Sequence, residues 1–497
     1  MAIQEKALEE LNQLLTSSSF RIIVLARIFK NVLSSLSVRK FIRLISGIIS
    51  YCKGNRTALG EFVANDSLYV SLDMLRWRLA GLNASEPSAP AASLDAMGLD
   101  IPASQPEHKA DSFPRRPGKR VVYFTNQLLD VHSRRPRYGG GERYCLMLSQ
   151  LLQDLGFSVD VFQFGQEEFQ GDYEGLHVRT VPFGTRYFSE FNLGATEEFY
   201  AISKEYDYCV YNLPEISAGA MRNDAISICH GIWFDHTNYR DAVQFRSKEW
   251  FGYLHKVFSN PTLWVSVDTN SINVIRSLWP DLATKMRYIP NFVDLEQFYP
   301  PDTGRDPSRL KVLFPRRSHV NRGSRILEDI LRDIPHEVDI TWLGEGDPMD
   351  TQLIKDLCKR DPRLSFAAAR FDEMPGWYRE ADICVISTLA CEGTSFSCLE
   401  GLASGCAVVS TNAGGLPDLI QDEYNGLLVD PFPRDIARAI NRLIENPAER
   451  ERLQKSARRS AESFAIRKWR QRWCDVLRSL GWLDESSASG IAGQSKD

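Results

Sequence analysis

Glu392-Gly393-Thr394-Ser395-Phe396-Ser397-Cys398-Leu399-Glu400 is the stretch that decides how this chain is read. The run before it, Asp382 to Ser387, reads as a buried strand. The run after it, Leu399 to Ser404, reads as a helix that Gly405 closes. A strand, a small-residue polar turn and a helix start put Glu392 at a ligand cleft. Glu400 follows about two helical turns further on.

The same alternation extends in both directions. Upstream lie strand candidates at 311–314, 339–343 and 364–367, with a helix at 325–332. Downstream come 406–410 and 427–429. From Lys119 a second series begins, with strands at 121–124, 159–164, 177–181, 208–211, 225–229 and 263–267 and a helix at 142–155. Strands spaced by helical segments argue for parallel sheets covered on both faces. The expected fold is α/β, with two doubly wound Rossmann-like domains facing across a cleft at the carboxyl ends of their strands. The expected boundaries are 118–295, 296–465, a crossover helix at 466–484 carrying Trp469 and Trp473, and a flexible tail at 485–497.

The amino-terminal quarter has a different character. Residues 1–83 read as helical, and 84–117 as a linker rich in Pro, Ala and Ser. Residues 17–53 hold seven Lys or Arg and no acid, interleaved with Ile, Leu, Val and Phe. Such a basic amphipathic segment could rest on an anionic membrane surface. The reading preferred on sequence is a helical layer that packs its apolar face on the protein's own body or within an oligomer.

At 497 residues the chain exceeds one ordinary core. Its composition, 43% hydrophobic and 25% charged, is that of a soluble globular protein. A formal net charge of -5 gives no support to nucleic-acid binding. The ten cysteines include no CxxC pair, which argues for reduced thiols and against a structural zinc site. With no signal peptide and no long uncharged apolar run, the expected location is cytoplasmic, with a peripheral position at the inner face of the cell membrane if residues 17–53 bind lipid.

Several polar groups are placed to reach the cleft. Gly139, Gly140 and Gly141 let backbone approach a ligand, or make a tight turn. His230 ends a strand before Gly231 and can meet a hydroxyl or anionic oxygen, or be satisfied by backbone; His236 follows in the same loop. Asn291 and Asp294 are expected to hold the domain crossing. Arg316, Arg317 and Arg322 fall in a strand-to-helix loop, where guanidinium groups suit a diphosphate. Gly344 and Glu345 begin a loop facing the same cleft. Thr394, Ser395 and Phe396 offer amides at a helix start, and Glu400 can accept from ribose hydroxyls.

Together these residues resemble the retaining enzymes of glycosyltransferase family 4, of GT-B architecture, over about residues 120–480. The family's paired glutamates are similar to Glu392 and Glu400, its diphosphate-binding basic pair to Arg317 and Arg322, its glycine loop to Gly139–Gly141 and its histidine to His230. Its Gly-Gly-x-Pro element matches Gly414, Gly415 and Pro417. Where many members have Phe-Gly after the first Glu-Gly, this chain has Thr394-Ser395. The resemblance implies transfer of a sugar from a nucleoside diphosphate sugar to a hydroxyl of a glycan or lipid-linked glycan, in cell-surface polysaccharide or glycolipid assembly. It implies catalytic roles for His230, Glu392, Arg317 and Arg322, with no cofactor and no metal. A sugar-nucleotide epimerase of similar plan and a non-catalytic carbohydrate-binding scaffold remain alternatives.

Overall fold

Strand β1 (Arg120–Thr125) is buried from Val121 to Phe124 without alternation, as expected of a strand covered on both faces. It pairs in parallel with β2 (Ser158–Gly165) on one side and β5 (Tyr208–Tyr211) on the other. With β3 (Phe169–Tyr173), β4 (Leu176–Pro182), β6 (Ile226–Cys229), β7 (Leu263–Ser266) and β8 (Met286–Tyr288) it forms a sheet of order β3-β4-β2-β1-β5-β6-β7-β8. Only β3 runs antiparallel, folded onto β4 through Glu174 and Gly175, both at positive φ. The sequence pattern does not announce β3, because its five residues include no continuous apolar run and alternate between half-buried and exposed.

The second sheet contains β9 (Lys311–Phe314), β10 (Asp339–Leu343), β11 (Leu364–Ala367), β12 (Ile383–Ile386), β13 (Ala407–Thr411) and β14 (Leu427–Val429). Its order is β11-β10-β9-β12-β13-β14, parallel throughout. In each sheet the winding reverses once. The chain leaves β1 for β2 and later returns to β5; it leaves β9 for β10 and later returns to β12. Connections diverge at such a reversal, so a crevice opens at the carboxyl ends between β1 and β5, and again between β9 and β12.

These coordinates come from a computed structural model that describes residues 119–126, 128–129, 139–165, 168–182, 193–212, 220–232, 248–302, 304–305, 309–335, 337–390 and 392–484. The expected amino-terminal helices, the linker, the basic segment 17–53 and the tail 485–497 lie outside the described residues, as does His236. Among the described residues no helix is long and apolar enough to cross a membrane.

The chain passes between the sheets twice. Val293 and Ile466 join the passages: the Val293 amide donates to the Phe464 carbonyl at 2.9 Å, and the Ile466 amide to the Val293 carbonyl at 3.0 Å. The helix Ile466–Ser479 then returns to the first sheet. Trp469, Trp473, Val476 and Leu477 share one face at helical spacing and are buried in the first sheet's core. The Trp473 indole donates to the Tyr144 hydroxyl at 2.9 Å, tying this helix to the one spanning Gly140–Asp154.

Candidate active site

The crevice between β9 and β12 carries charge. A tight turn after β9, with the Arg316 amide 2.9 Å from the Phe314 carbonyl, rotates Arg316 inward, where it is 5% exposed. Its guanidinium donates to Glu392 Oε2 at 2.6 Å, to Thr388 Oγ1 at 2.5 Å and to Ser395 Oγ at 3.3 Å. Thr388 in turn donates to Glu392 Oε2 at 2.9 Å. Arg322 reaches the same carboxylate oxygen at 3.0 Å and also donates to the Ala390 carbonyl. Burial alone would raise the Glu392 carboxyl, but Arg322, Arg316 and the Thr388 hydroxyl outweigh it, so its pKa lies below the ordinary value. Gly323, at φ +87, fixes the turn: a Cβ there would lie 2.6 Å from the Ser387 carbonyl oxygen.

Two consecutive arginines thus part company. Arg316 takes the inward place, while Arg317, which the sequence reading preferred, is exposed. The turn's direction decides this, and composition does not record it.

Glu400 lies on the helix Phe396–Ala403 and is 4% exposed. One oxygen accepts from Arg143 at 2.5 Å, the other from the Tyr378 hydroxyl at 2.9 Å. Arg143 belongs to the helix Gly140–Asp154 of the first half, so this ion pair joins the halves. Its guanidinium lies 4.4 Å from the ring centre of Phe396 and 4.5 Å from that of Phe371. Neither Arg143 nor Tyr378 stood out in the sequence. The Phe396 ring also faces Gly140, where a Cβ would lie 3.5 Å away.

Backbone meets backbone beside this pair. A Cβ on Gly231, at φ +117, would lie 2.9 Å from the Gly393 amide, and one on Gly393 would lie 2.7 Å from the His230 carbonyl oxygen. Gly415 donates its amide to the Glu392 carbonyl at 2.9 Å and packs against Asp268. The Thr394 hydroxyl accepts from the Asn291 amide at 2.8 Å and donates to the Val267 carbonyl at 2.7 Å. That fully buried side chain clasps the crossing. Asn291 does hold the crossing, and Asp294 caps the next turn through the Glu296 amide at 2.9 Å. Asp418 adds a clasp to Thr269, accepting its amide at 2.7 Å.

The loop after β10 divides. Gly344, at φ +138, packs on the Arg316 backbone, and its carbonyl accepts from Ser318 Oγ at 2.8 Å. Glu345 is exposed, with Lys355 4.0 Å away, and is not gathered into the cluster.

In the crevice between β1 and β5 the described side chains that meet at Asn212 are uncharged. His230, after β6, contacts Asn212 through Nε2 at 2.9 Å and packs edge-on against Tyr144. Burial lowers its pKa to about 4, so the imidazole is neutral at physiological pH. Gly141 completes the group, its carbonyl accepting from Asn212 at 3.2 Å.

Two facing doubly wound sheets with this cluster between them can be compared with known proteins. Two family profiles match: "Glycosyltransferase Family 4" over residues 138–297 and "Glycosyl transferases group 1" over 309–446. The chain belongs to these glycosyltransferases. It is 27% identical over 228 residues to D-inositol 3-phosphate glycosyltransferase of Xylanimonas cellulosilytica, covering 42% of this chain and 54% of that one. The chain spans about half the length of the curated relatives it matches. Its fold is GT-B, shared with sucrose-phosphate synthase of Thermosynechococcus elongatus (TM-score 0.61, 19% identity, 73% of this chain and 99% of that one). Anabaena HepE, solved in complex with UDP and glucose, is similar too (TM-score 0.55, 17% identity, 73% and 100% covered).

Proposed function

We propose that this glycosyltransferase moves a sugar from a nucleoside diphosphate sugar to a hydroxyl of a glycan or lipid-linked glycan, keeping the anomeric configuration, in cell-surface polysaccharide or glycolipid assembly. The observation that carries the reading is the convergence of Arg316 and Arg322 on Glu392 at the reversal of the second sheet. Two guanidinium groups held under a helix start are chemically suited to a diphosphate, and one carboxylate offsets part of their charge until it arrives. In this scheme the diphosphate takes over the arginines, and Glu392 is released to face the transferred sugar. Ribose hydroxyls replace Arg143 on Glu400.

The chemistry then follows from charge. As the bond from anomeric carbon to phosphate oxygen breaks, negative charge grows on the diphosphate and positive charge on the sugar. Arg316, Arg322 and the amides opening the helix at Phe396 stabilise the first. The Glu392 carboxylate stabilises the second. The acceptor hydroxyl attacks on the face the diphosphate leaves, and its proton passes to the departing phosphate oxygen. Juxtaposed domains exclude water and limit hydrolysis of the donor. This arrangement assigns the charge on the diphosphate to side chains, so chelating divalent metals should leave turnover unchanged. HepE's complex with UDP and glucose supports a nucleotide-sugar donor by likeness of fold.

Purified full-length protein with a panel of nucleoside diphosphate sugars tests the reading. Release of nucleoside diphosphate only when a glycan acceptor is present supports it. Conversion of the donor to its epimer without acceptor, or no turnover with any donor and acceptor pair, would reject it. The membrane-surface reading of residues 17–53 is tested by sedimentation with anionic liposomes; failure to sediment would reject it.

A further inference from the structure

The reversal point of the first sheet holds a side chain that the sugar-transfer scheme leaves unused. Asn212 follows β5, is 2% exposed and makes four polar contacts. Its amide nitrogen donates to the Gly141 carbonyl at 3.2 Å and to Thr125 Oγ1 at 3.1 Å. Its oxygen accepts from the Tyr123 hydroxyl at 2.7 Å and faces His230 Nε2 at 2.9 Å. We infer that Asn212 is a positioning residue that holds His230 as a single neutral tautomer, protonated on Nε2 and bare on Nδ1, so that the imidazole accepts a hydrogen bond from a sugar or acceptor hydroxyl. The inferred use of that hydrogen bond rests on the proposed sugar transfer; the tautomer does not.

The argument is one of donors and acceptors. An amide side chain can be turned over, exchanging its oxygen and nitrogen. The Gly141 carbonyl only accepts, so the Asn212 nitrogen must face it. The oxygen is then left to Tyr123 and His230. An amide oxygen only accepts, so Nε2 must carry the hydrogen. A neutral imidazole has one N–H, which leaves a lone pair on Nδ1.

The surroundings favour neutrality. Among the described residues, the ionisable groups facing the ring are Tyr144, edge-on at 5.0 Å, and Tyr123, reached through the Asn212 oxygen. Burial raises both phenols, so neither supplies a negative charge. Among the described residues no carboxylate pairs with the ring. Asn212 also ties two loops together: the amide that orients His230 fixes the Gly141 carbonyl at the start of the helix Gly140–Asp154.

Nitrogen-15 NMR of histidine-labelled full-length protein decides the matter, with His230→Gln assigning the signal. The wild type should show protonated Nε2 and bare Nδ1, and a titration well below that of a free imidazole. A protonated Nδ1, or a mixture of tautomers, would overturn the inference. Asn212→Asp replaces the amide with a carboxylate, and an opposite charge at this distance should raise the His230 pKa by about 1–3 units. The acid limb of the kcat profile should move up with it. An unmoved pKa in a folded Asn212→Asp protein would also overturn it. If that variant fails to fold, the wild-type spectrum still decides the tautomer, and it needs no substrate. Failure to find sugar transfer would therefore not be confused with failure here.

Discussion

The two sheets reverse their winding in the same way and fill the resulting crevices in opposite ways. Between β1 and β5 the described groups in contact around Asn212 are neutral: Tyr123, Thr125 and an imidazole whose pKa burial lowers to about 4. Between β9 and β12 two guanidinium groups meet a carboxylate. Topology provides the crevice in both cases, and side-chain chemistry decides what it can hold. Neutral donors and acceptors match hydroxyls; paired charges match a diphosphate. Among the described residues the halves meet through glycine backbones, the Asp418 and Thr394 clasps, and the ion pair of Arg143 with Glu400.

The sharpest way to break this contrast is to neutralise the charged crevice. Glu392→Gln should lower kcat by about 10²–10³-fold while nucleotide binding persists, the scale seen when one charge-stabilising group is removed. Steady-state kinetics beside a nucleotide titration would check it. A KM effect with unchanged kcat would reassign Glu392 to binding alone.

Trp473→Ala probes the opposite side. The indole is fully buried in the first sheet's core and hydrogen-bonds to Tyr144. Its loss should cost about 3–5 kcal/mol, read as a lower denaturation midpoint. The glycine contact comes next. Gly231→Ala adds a Cβ at positive φ, 2.9 Å from the Gly393 amide. It should reduce turnover more than nucleotide affinity, because it disturbs the junction and leaves Arg316 and Arg322 in place.

The buried His230 imidazole carries a pH signature. The folded-state pKa of His230 is depressed to about 4, below the unfolded value near 6.5. As pH falls between those values the unfolded chain binds the proton first, so stability is lost over that window. Denaturation at several pH values should show that loss, and His230→Gln should remove that part of it.

The smallest effect expected is at the junction. Arg143→Ala frees Glu400 from its partner. A nucleoside diphosphate should then bind about fivefold tighter, which corresponds to about 1 kcal/mol. Weaker binding by calorimetry would mean that Arg143 itself contacts the ligand.

Much of this was legible in the sequence, for physical reasons. Strands buried on both faces read as unbroken apolar runs, which is why β1, β9, β12 and β13 stand out. The polar turns after them are short, so Glu392, Glu400, His230 and Gly141 could be placed at one cleft. Three things were hidden. The choice between Arg316 and Arg317 depends on how a tight turn rotates. Arg143 meets Glu400 across 257 positions of sequence, a contact that exists only once the halves are juxtaposed. Asn212 looks like any polar residue after a strand until its four partners are seen together. Thr394, read as an amide donor beside the helix start, turned out to use its hydroxyl to clasp the crossing at Asn291 and Val267.

The most direct test of the central claim separates the adjacent arginines. Calorimetric titration of a nucleoside diphosphate into wild type, Arg316→Ala and Arg317→Ala should show affinity lost by about tenfold or more in Arg316→Ala, in keeping with a charge-assisted hydrogen bond worth at least about 1.5 kcal/mol. Affinity should stay within about twofold of wild type in Arg317→Ala, as for a solvated surface charge. The reverse pattern, or no loss in either variant, would contradict the assignment of the charged crevice as the diphosphate seat.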